Sequence, residues 1–141
     1  LAGRAHDTDW VMVHDAARPC LGRDDLARLI KATRNDPVGG LLAVPVADTL
    51  KCDDGSGRSA RTAAREGLWR ALTPQMFRFG LLRRALALCR ERERAVTDEA
   101  SAIEMLGLRP LLVPGRADNI KLTNVEDRRI AEAILRSWRK R

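Results

Sequence analysis

Asp15 and Asp118 are the two acids whose surroundings suit chemistry. Asp15 stands just beyond the apolar run Trp10-Val11-Met12-Val13, and Asp118 lies at the start of the short stretch "ADNIKLT". In α/β proteins the carboxyl ends of parallel strands open onto the ligand crevice, so an acid placed there faces whatever binds. Two carboxylates from separate loops can share one hard cation such as Mg²⁺, which binds through one or two carboxylates plus substrate phosphates and keeps its waters. Arg18, Lys51, Arg65, Lys121, Thr49 and Thr73 supply charge and hydroxyls of the kind that hold phosphate. The pattern points to phosphoryl-type chemistry, although neither a Walker loop nor a G-x-G-x-x-G motif accompanies it. The only histidines, His6 and His14, lie far from any serine motif. A Ser-His-Asp hydrolase therefore has little support, and His14 reads as a structural neighbour of Asp15 rather than a base. The competing structural reading has Asp15 capping a turn and Arg18 as one more surface arginine.

The elements that must position these groups alternate. Residues 10–13 form a first strand. "GRDDLARLIKATR" then places Leu26, Leu29, Ile30 and Thr33 at helical spacing, with Asp24 and Asp25 where the helix dipole favours negative charge. "GGLLAVPV", residues 39–46, is too short for a helix and suits a strand buried on both faces. Strand, helix, strand in this order is a crossover unit, which predicts a mostly parallel sheet. Residues 47–68 are polar, centre on Gly55-Ser56-Gly57 and carry Arg58, Arg61 and Arg65; they read as a hairpin arm leaving the body. After "WRALTPQMF", the residues Phe79, Leu82, Leu86 and Cys89 outline an apolar helix face. Thr97 is placed to cap the helix opened by Asp98 and Glu99 and stopped by Gly107. "RPLLVP" and "ADNIKLT" read as two further short strands. The last helix is expected to open on the capping box Thr123-Asn124-Val125-Glu126 and to bury Ile130, Ile134 and Trp138.

The composition narrows the function class. The chain has 141 residues, 45% of them hydrophobic and 32% charged, and no apolar run near the roughly 18 residues of a membrane span, so one globular domain without membrane attachment is expected. Cys20, Cys52 and Cys89 are odd in number and widely spaced. They match neither a disulfide framework nor a zinc pattern, which favours free thiols in a reducing cytoplasm. The net charge of +7 raises nucleic-acid binding as an alternative. Against it, arginine supplies 22 of the 26 basic residues and is spread through nearly every segment, while aromatics reach only 4%. No nucleic-acid partner is expected.

Five blocks in order, "VHDAARP", "PVADTLK", "LWRALTPQ", "TDEASAIE" and "GRADNIKLT", resemble the 2-C-methyl-D-erythritol 4-phosphate cytidylyltransferase family of the non-mevalonate isoprenoid pathway. The resemblance spans essentially the whole chain. It implies a Rossmann-like nucleotidyltransferase fold with a protruding β-arm, CTP and 2-C-methyl-D-erythritol 4-phosphate as substrates, Mg²⁺ as cofactor, and a homodimer made through the 47–68 arm. By position it implies Asp15 and Asp118 as metal ligands and Arg18 as a contact to the methylerythritol phosphate. Thr49 and Thr73 would line the substrate site, and Lys121 would act in catalysis. Arg65 would reach into the partner subunit's site. The family's glycine-rich L-A-A-G-x-G-x-R loop and P-K-Q block, which cradle the CTP triphosphate, have no match among the 141 residues. Because the chain also starts at Leu1 rather than Met, it is expected to be the C-terminal part of a longer protein and to be inactive by itself. A ribitol 5-phosphate cytidylyltransferase is the nearest alternative.

Overall fold

Consecutive residues of the most buried strand point to opposite sides of the sheet, and each side has its own core. The computed structural model describes residues 3–138; residues 1–2 and 139–141, the ends of the expected 1–141 domain, lie outside the described residues. In chain order the elements are β1 (Trp10–Val13), α1 (Arg23–Thr33), β2 (Gly39–Pro45), β3 (Leu50–Asp53), β4 (Ser59–Ala63), β5 (Trp69–Arg78), α2 (Phe79–Glu91), α3 (Glu99–Glu104), β6 (Leu111–Pro114) and α4 (Val125–Trp138). On one face Leu41 and Phe77 pack with Leu81, Leu82 and Ala85 of α2 and Ala102 and Ile103 of α3. On the other, Leu42, Leu72, Met76 and Val113 pack with Leu29 of α1. Covering both faces with helices explains why β2 is apolar without alternation.

The main sheet runs β1-β5-β2-β6, and its direction corrects the expectation of a mostly parallel sheet. Among the described residues only β2 and β6 pair in parallel; β5 is antiparallel to both β1 and β2. The crossover from β1 through α1 does make β1 and β2 parallel to each other. The ten-residue strand β5, returning from the arm, inserts between them. Its sequence lacks a clean strand signal because it contains Pro74, and proline sits inside sheets chiefly at irregularities. That irregularity is present: the β2–β5 register shifts between Leu41, opposite Gln75, and Ala43, opposite Ala71. Close approach dictates the two glycines that open β2. A Cβ on Gly39, whose φ is +105°, would meet the Met76 carbonyl oxygen at 2.3 Å, and one on Gly40 would meet the Leu111 carbonyl oxygen at 2.6 Å.

The hairpin is present as β3 and β4, a two-stranded sheet separate from the main one. Other expectations shift by a residue or a helix face. "ADNIKLT" is no strand, because its backbone bonds elsewhere: Asn119 N–H donates to Arg116 O and Leu122 N–H to Ala17 O. In α1 the buried positions are Asp25, Leu29 and Thr33, whereas Ile30 is exposed. Asp25 accepts from Arg28 Nη1 (2.9 Å) and Arg116 N–H (3.0 Å), which meets the requirement for burying a carboxylate. In α2, Leu81 and Ala85 replace Phe79 and Leu86 on the buried face. In α4 the buried residue is Ala131 and Ile130 is exposed. Its start is held by Asp127 rather than Glu126: the Asp127 carboxylate accepts from the backbone N–H groups of Asn124 (2.7 Å) and Thr123 (2.8 Å), which lowers its pKa. Likewise Asp98, not Thr97, caps α3 in a reciprocal box with Ser101.

Gly40→Ala is expected to lower the unfolding free energy by about 1–3 kcal/mol by wedging β2 from β6. Urea denaturation reads this as a lower midpoint at unchanged slope; an unchanged midpoint contradicts the close strand approach.

Candidate active site

The cleft of interest opens at the end of β1, where the chain leaves the sheet. Asp15 follows β1 and closes a turn on itself: its Oδ1 accepts from Ala17 N–H (2.9 Å), and Arg18 N–H donates to Asp15 O (2.9 Å). This satisfies the turn-capping reading without using up the carboxylate, whose second oxygen pairs with Lys121 Nζ at 2.9 Å. The Lys121 ammonium, followed by the Ala17 N–H, holds the Asp15 pKa below the usual aspartate range. Arg18 turns the other way, donating from Nη1 to the Asn119 carbonyl oxygen at 2.7 Å, and burial pushes its pKa down.

The β5 irregularity supplies the facing wall. Freed from the regular ladder, Thr73 accepts from Asp15 N–H at 3.0 Å, and its hydroxyl lies 2.9 Å from His14 Nδ1. Asn119, fully buried, donates from Nδ2 to Thr73 O at 2.8 Å. Gln75, also buried, binds Asp98 Oδ2 (2.9 Å) through Nε2 and accepts from Ala100 N–H (2.7 Å) through Oε1, so it fixes the start of α3 against the sheet. The resulting cleft has a volume of about 420 Å³, and Asp15, Arg18, Lys121, Thr73, Thr97 and Glu99 are among the residues that line it. A larger cavity, about 690 Å³, lies between the start of α1 and the end of α4 and contains none of Asp15, Arg18, Thr73 or Lys121.

Of the residues singled out from sequence, Asp15, Arg18, Thr73 and Lys121 therefore meet in one cleft. Asp118 lies one residue from Asn119 but does not line that cleft. Its carboxylate pairs with Arg116, which donates from Nε at 2.9 Å and also from Nη2, and this pairing raises the Arg116 pKa. Thr49 and Arg65 sit on the exposed base of the arm, outside the cleft, where Arg65 donates to the Ala47 carbonyl oxygen. Sequence reasoning passed over Asn119 and Gln75, whose buried amides have no periodic signature. It read Thr97 only as a cap, and a polar residue just before a helix suits either role.

A divalent cation is compatible with these donors, though not through a preformed cage. Among the described residues no three His, Cys, Asp or Glu side chains converge. Mg²⁺ asks for only one or two carboxylates beside substrate phosphates. Asp15, whose carboxylate borders the cleft, would supply one of these, and its second oxygen already pairs with Lys121.

Fold and cleft together form an α/β domain with a carboxylate, an ammonium and a guanidinium gathered beside a strand end. Residues 1–137 match the family "2-C-methyl-D-erythritol 4-phosphate cytidylyltransferase". The chain belongs to that family. It is 60% identical over 123 residues to the protein of that name from Pseudomonas putida (strain GB-1), covering 87% of this chain and 52% of the relative. It is 62% identical over 134 residues to the one from Laribacter hongkongensis (strain HLHK9), covering 95% and 57%. The chain thus spans about half the length of the curated relatives it matches. Two solved structures superpose with TM-scores of 0.87. A 4-diphosphocytidyl-2C-methyl-D-erythritol synthase is 53% identical over 95% of this chain and 60% of its own, and the Francisella tularensis 2-C-methyl-D-erythritol 4-phosphate cytidylyltransferase is 38% identical over 94% and 62%.

Because Lys121 is the main cause of the lowered Asp15 pKa, Lys121→Met is expected to move the Asp15 titration up toward the ordinary value of about 3.9. Carboxyl ¹³C shifts followed against pH read this directly. In the wild type, a depressed folded-state pKa makes the Asp15 interaction stabilising above the unfolded value and lost as pH falls through the folded one. The acid limb of a stability profile should therefore flatten in the variant.

Proposed function

We propose that this chain carries the acceptor side of a cytidylyl transfer from CTP to 2-C-methyl-D-erythritol 4-phosphate, releasing pyrophosphate in isoprenoid precursor biosynthesis. Membership of the family supports the reading, and the observation that carries it is the convergence of Asp15, Arg18, Thr73 and Lys121 in one cleft. In the reaction a phosphate oxygen of the acceptor forms a bond to the α-phosphorus of CTP in line with the departing pyrophosphate, whose bond to that phosphorus breaks. The protein forms no covalent bond; it aligns two polyanions and spreads their charge. Arg18 and Lys121 face the acceptor phosphate, and Asp15 holds the ammonium of Lys121 in place. Asp15 would also hold Mg²⁺, and Asp118 would serve as the second carboxylate by exchanging its Arg116 partner for the ion; when bound, the ion neutralises phosphate charge.

The arm has a place in the same reading. Thr49 and Arg65 lie outside their own chain's cleft, which suits residues that complete the site of a second copy in a homodimer made through residues 47–68. Among the described residues no helix is long and apolar enough to cross a membrane, and the reading sets the protein in the cytoplasm.

Calorimetry of the chain with 2-C-methyl-D-erythritol 4-phosphate tests the acceptor site. Saturable binding is expected, weakened at least tenfold by Arg18→Ala, because a charge-assisted hydrogen bond is worth about 1.5–3 kcal/mol. Absence of binding, or equal displacement by ribitol 5-phosphate, would overturn the assignment of the acceptor. In whole enzymes of the family, the change matching Lys121→Ala is expected to slow pyrophosphate release by about 10²- to 10³-fold.

A further inference from the structure

His14 is exposed, borders the cleft and has no part in the reaction described above, yet both its ring nitrogens are engaged. Nε2 lies 3.0 Å from the Arg18 carbonyl oxygen, and Nδ1 lies 2.9 Å from the Thr73 hydroxyl. A carbonyl oxygen only accepts, so Nε2 carries the proton, and in the neutral imidazole Nδ1 is then an acceptor. The Thr73 hydroxyl must supply the proton between them. A threonine hydroxyl has one hydrogen and two lone pairs. Its hydrogen goes to His14 Nδ1 and one lone pair receives the Asp15 N–H at 3.0 Å, so a single acceptor lone pair remains.

We infer that His14 is a positioning residue that turns the Thr73 hydroxyl into an acceptor, and that Thr73 thereby recognises a hydroxyl group of the ligand rather than an ionised phosphate oxygen. An ionised phosphate oxygen has no proton to give and would meet lone pair against lone pair. The cleft divides accordingly. Arg18 and Lys121 form a cationic end for phosphate, and the Thr73 wall, with the Glu99 carboxylate also lining the cleft, accepts from a polyol. The inference rests on the acceptor-site reading above and names which part of that acceptor each wall takes.

Two measurements test it, one without ligand. Long-range ¹H–¹⁵N correlation of the imidazole should show Nε2 protonated in the neutral ring; a proton on Nδ1 overturns the inference whatever the chain binds. Calorimetry then compares 2-C-methyl-D-erythritol 4-phosphate with inorganic phosphate. Thr73→Val and His14→Ala are each expected to weaken the first about 3- to 10-fold, the range of one ordinary hydrogen bond, and to leave phosphate unchanged. His14→Asn, whose amide oxygen takes the place of Nδ1, should restore affinity to within about twofold. Equal losses for both probes, or no rescue by asparagine, overturn the inference. A wild-type chain that keeps the Nε2 proton but ignores methylerythritol phosphate overturns the acceptor-site reading instead, and leaves the hydrogen-bond arrangement standing.

Discussion

The cleft depends on one buried amide. Asn119 reaches three segments at once: its side chain donates to Thr73 O in β5, its carbonyl receives Arg18 from the turn after β1, and its own N–H closes a turn onto Arg116. Leaving the Asn119 Nδ2 donor unpaired inside the protein would cost roughly 1–3 kcal/mol; here it is paired, while the buried Oδ1 has no hydrogen-bond partner among the described residues. The Nδ2 and main-chain bonds of Asn119 favour the seat taken by the loop after β6, and in that seat Lys121 meets Asp15. Asp25 grips the same loop from behind through Arg116 N–H, while Arg28 reaches Pro114 O. Charged groups at a solvent-open cleft are thus positioned by neutral and paired groups in the interior.

This arrangement resolves an electrostatic tension. Arg18 and Lys121 carry like charge beside one cleft and would repel each other without Asp15. Asp15 answers Lys121 directly and Arg18 at longer range. Asp118 is neutralised separately by Arg116, so it does not draw on Arg18 or Lys121. Around Asp15, Arg18 and Lys121 one positive charge remains in excess, while Asp15 and Asp118 each keep a cationic partner.

Much of this was legible in the residues, for identifiable reasons. The unbroken apolar run of β2 announced a strand covered on both faces, and the polar excursion around Gly55-Ser56-Gly57 announced the hairpin. Asp15, Arg18, Thr73 and Lys121 were recognisable from their blocks. What escaped was set by tertiary context. Strand β5 was hidden by Pro74, and the sheet's mixed direction follows from where that strand inserts. Helix stripes turned by a residue: the partners of its carboxylate admitted Asp25 to the interior, and Ala131 rather than Ile130 is buried in α4. Asp118 illustrates the limit for the site: its place in the loop was readable, but the Arg116 pairing that engages its carboxylate outside the cleft lining was not.

The partners in the cleft are far apart along the chain: Asp15 and Thr73 are separated by 58 positions, and Arg18 and Asn119 by 101. Closing loops of that span is entropically costly before any contact is made, so such pairings form late in folding. The helices and the arm hairpin can form from neighbouring residues, whereas recognition must wait until nearly the whole chain has collapsed into register. A molecule in which these distant segments have parted therefore has no assembled cleft, whatever local turns it retains.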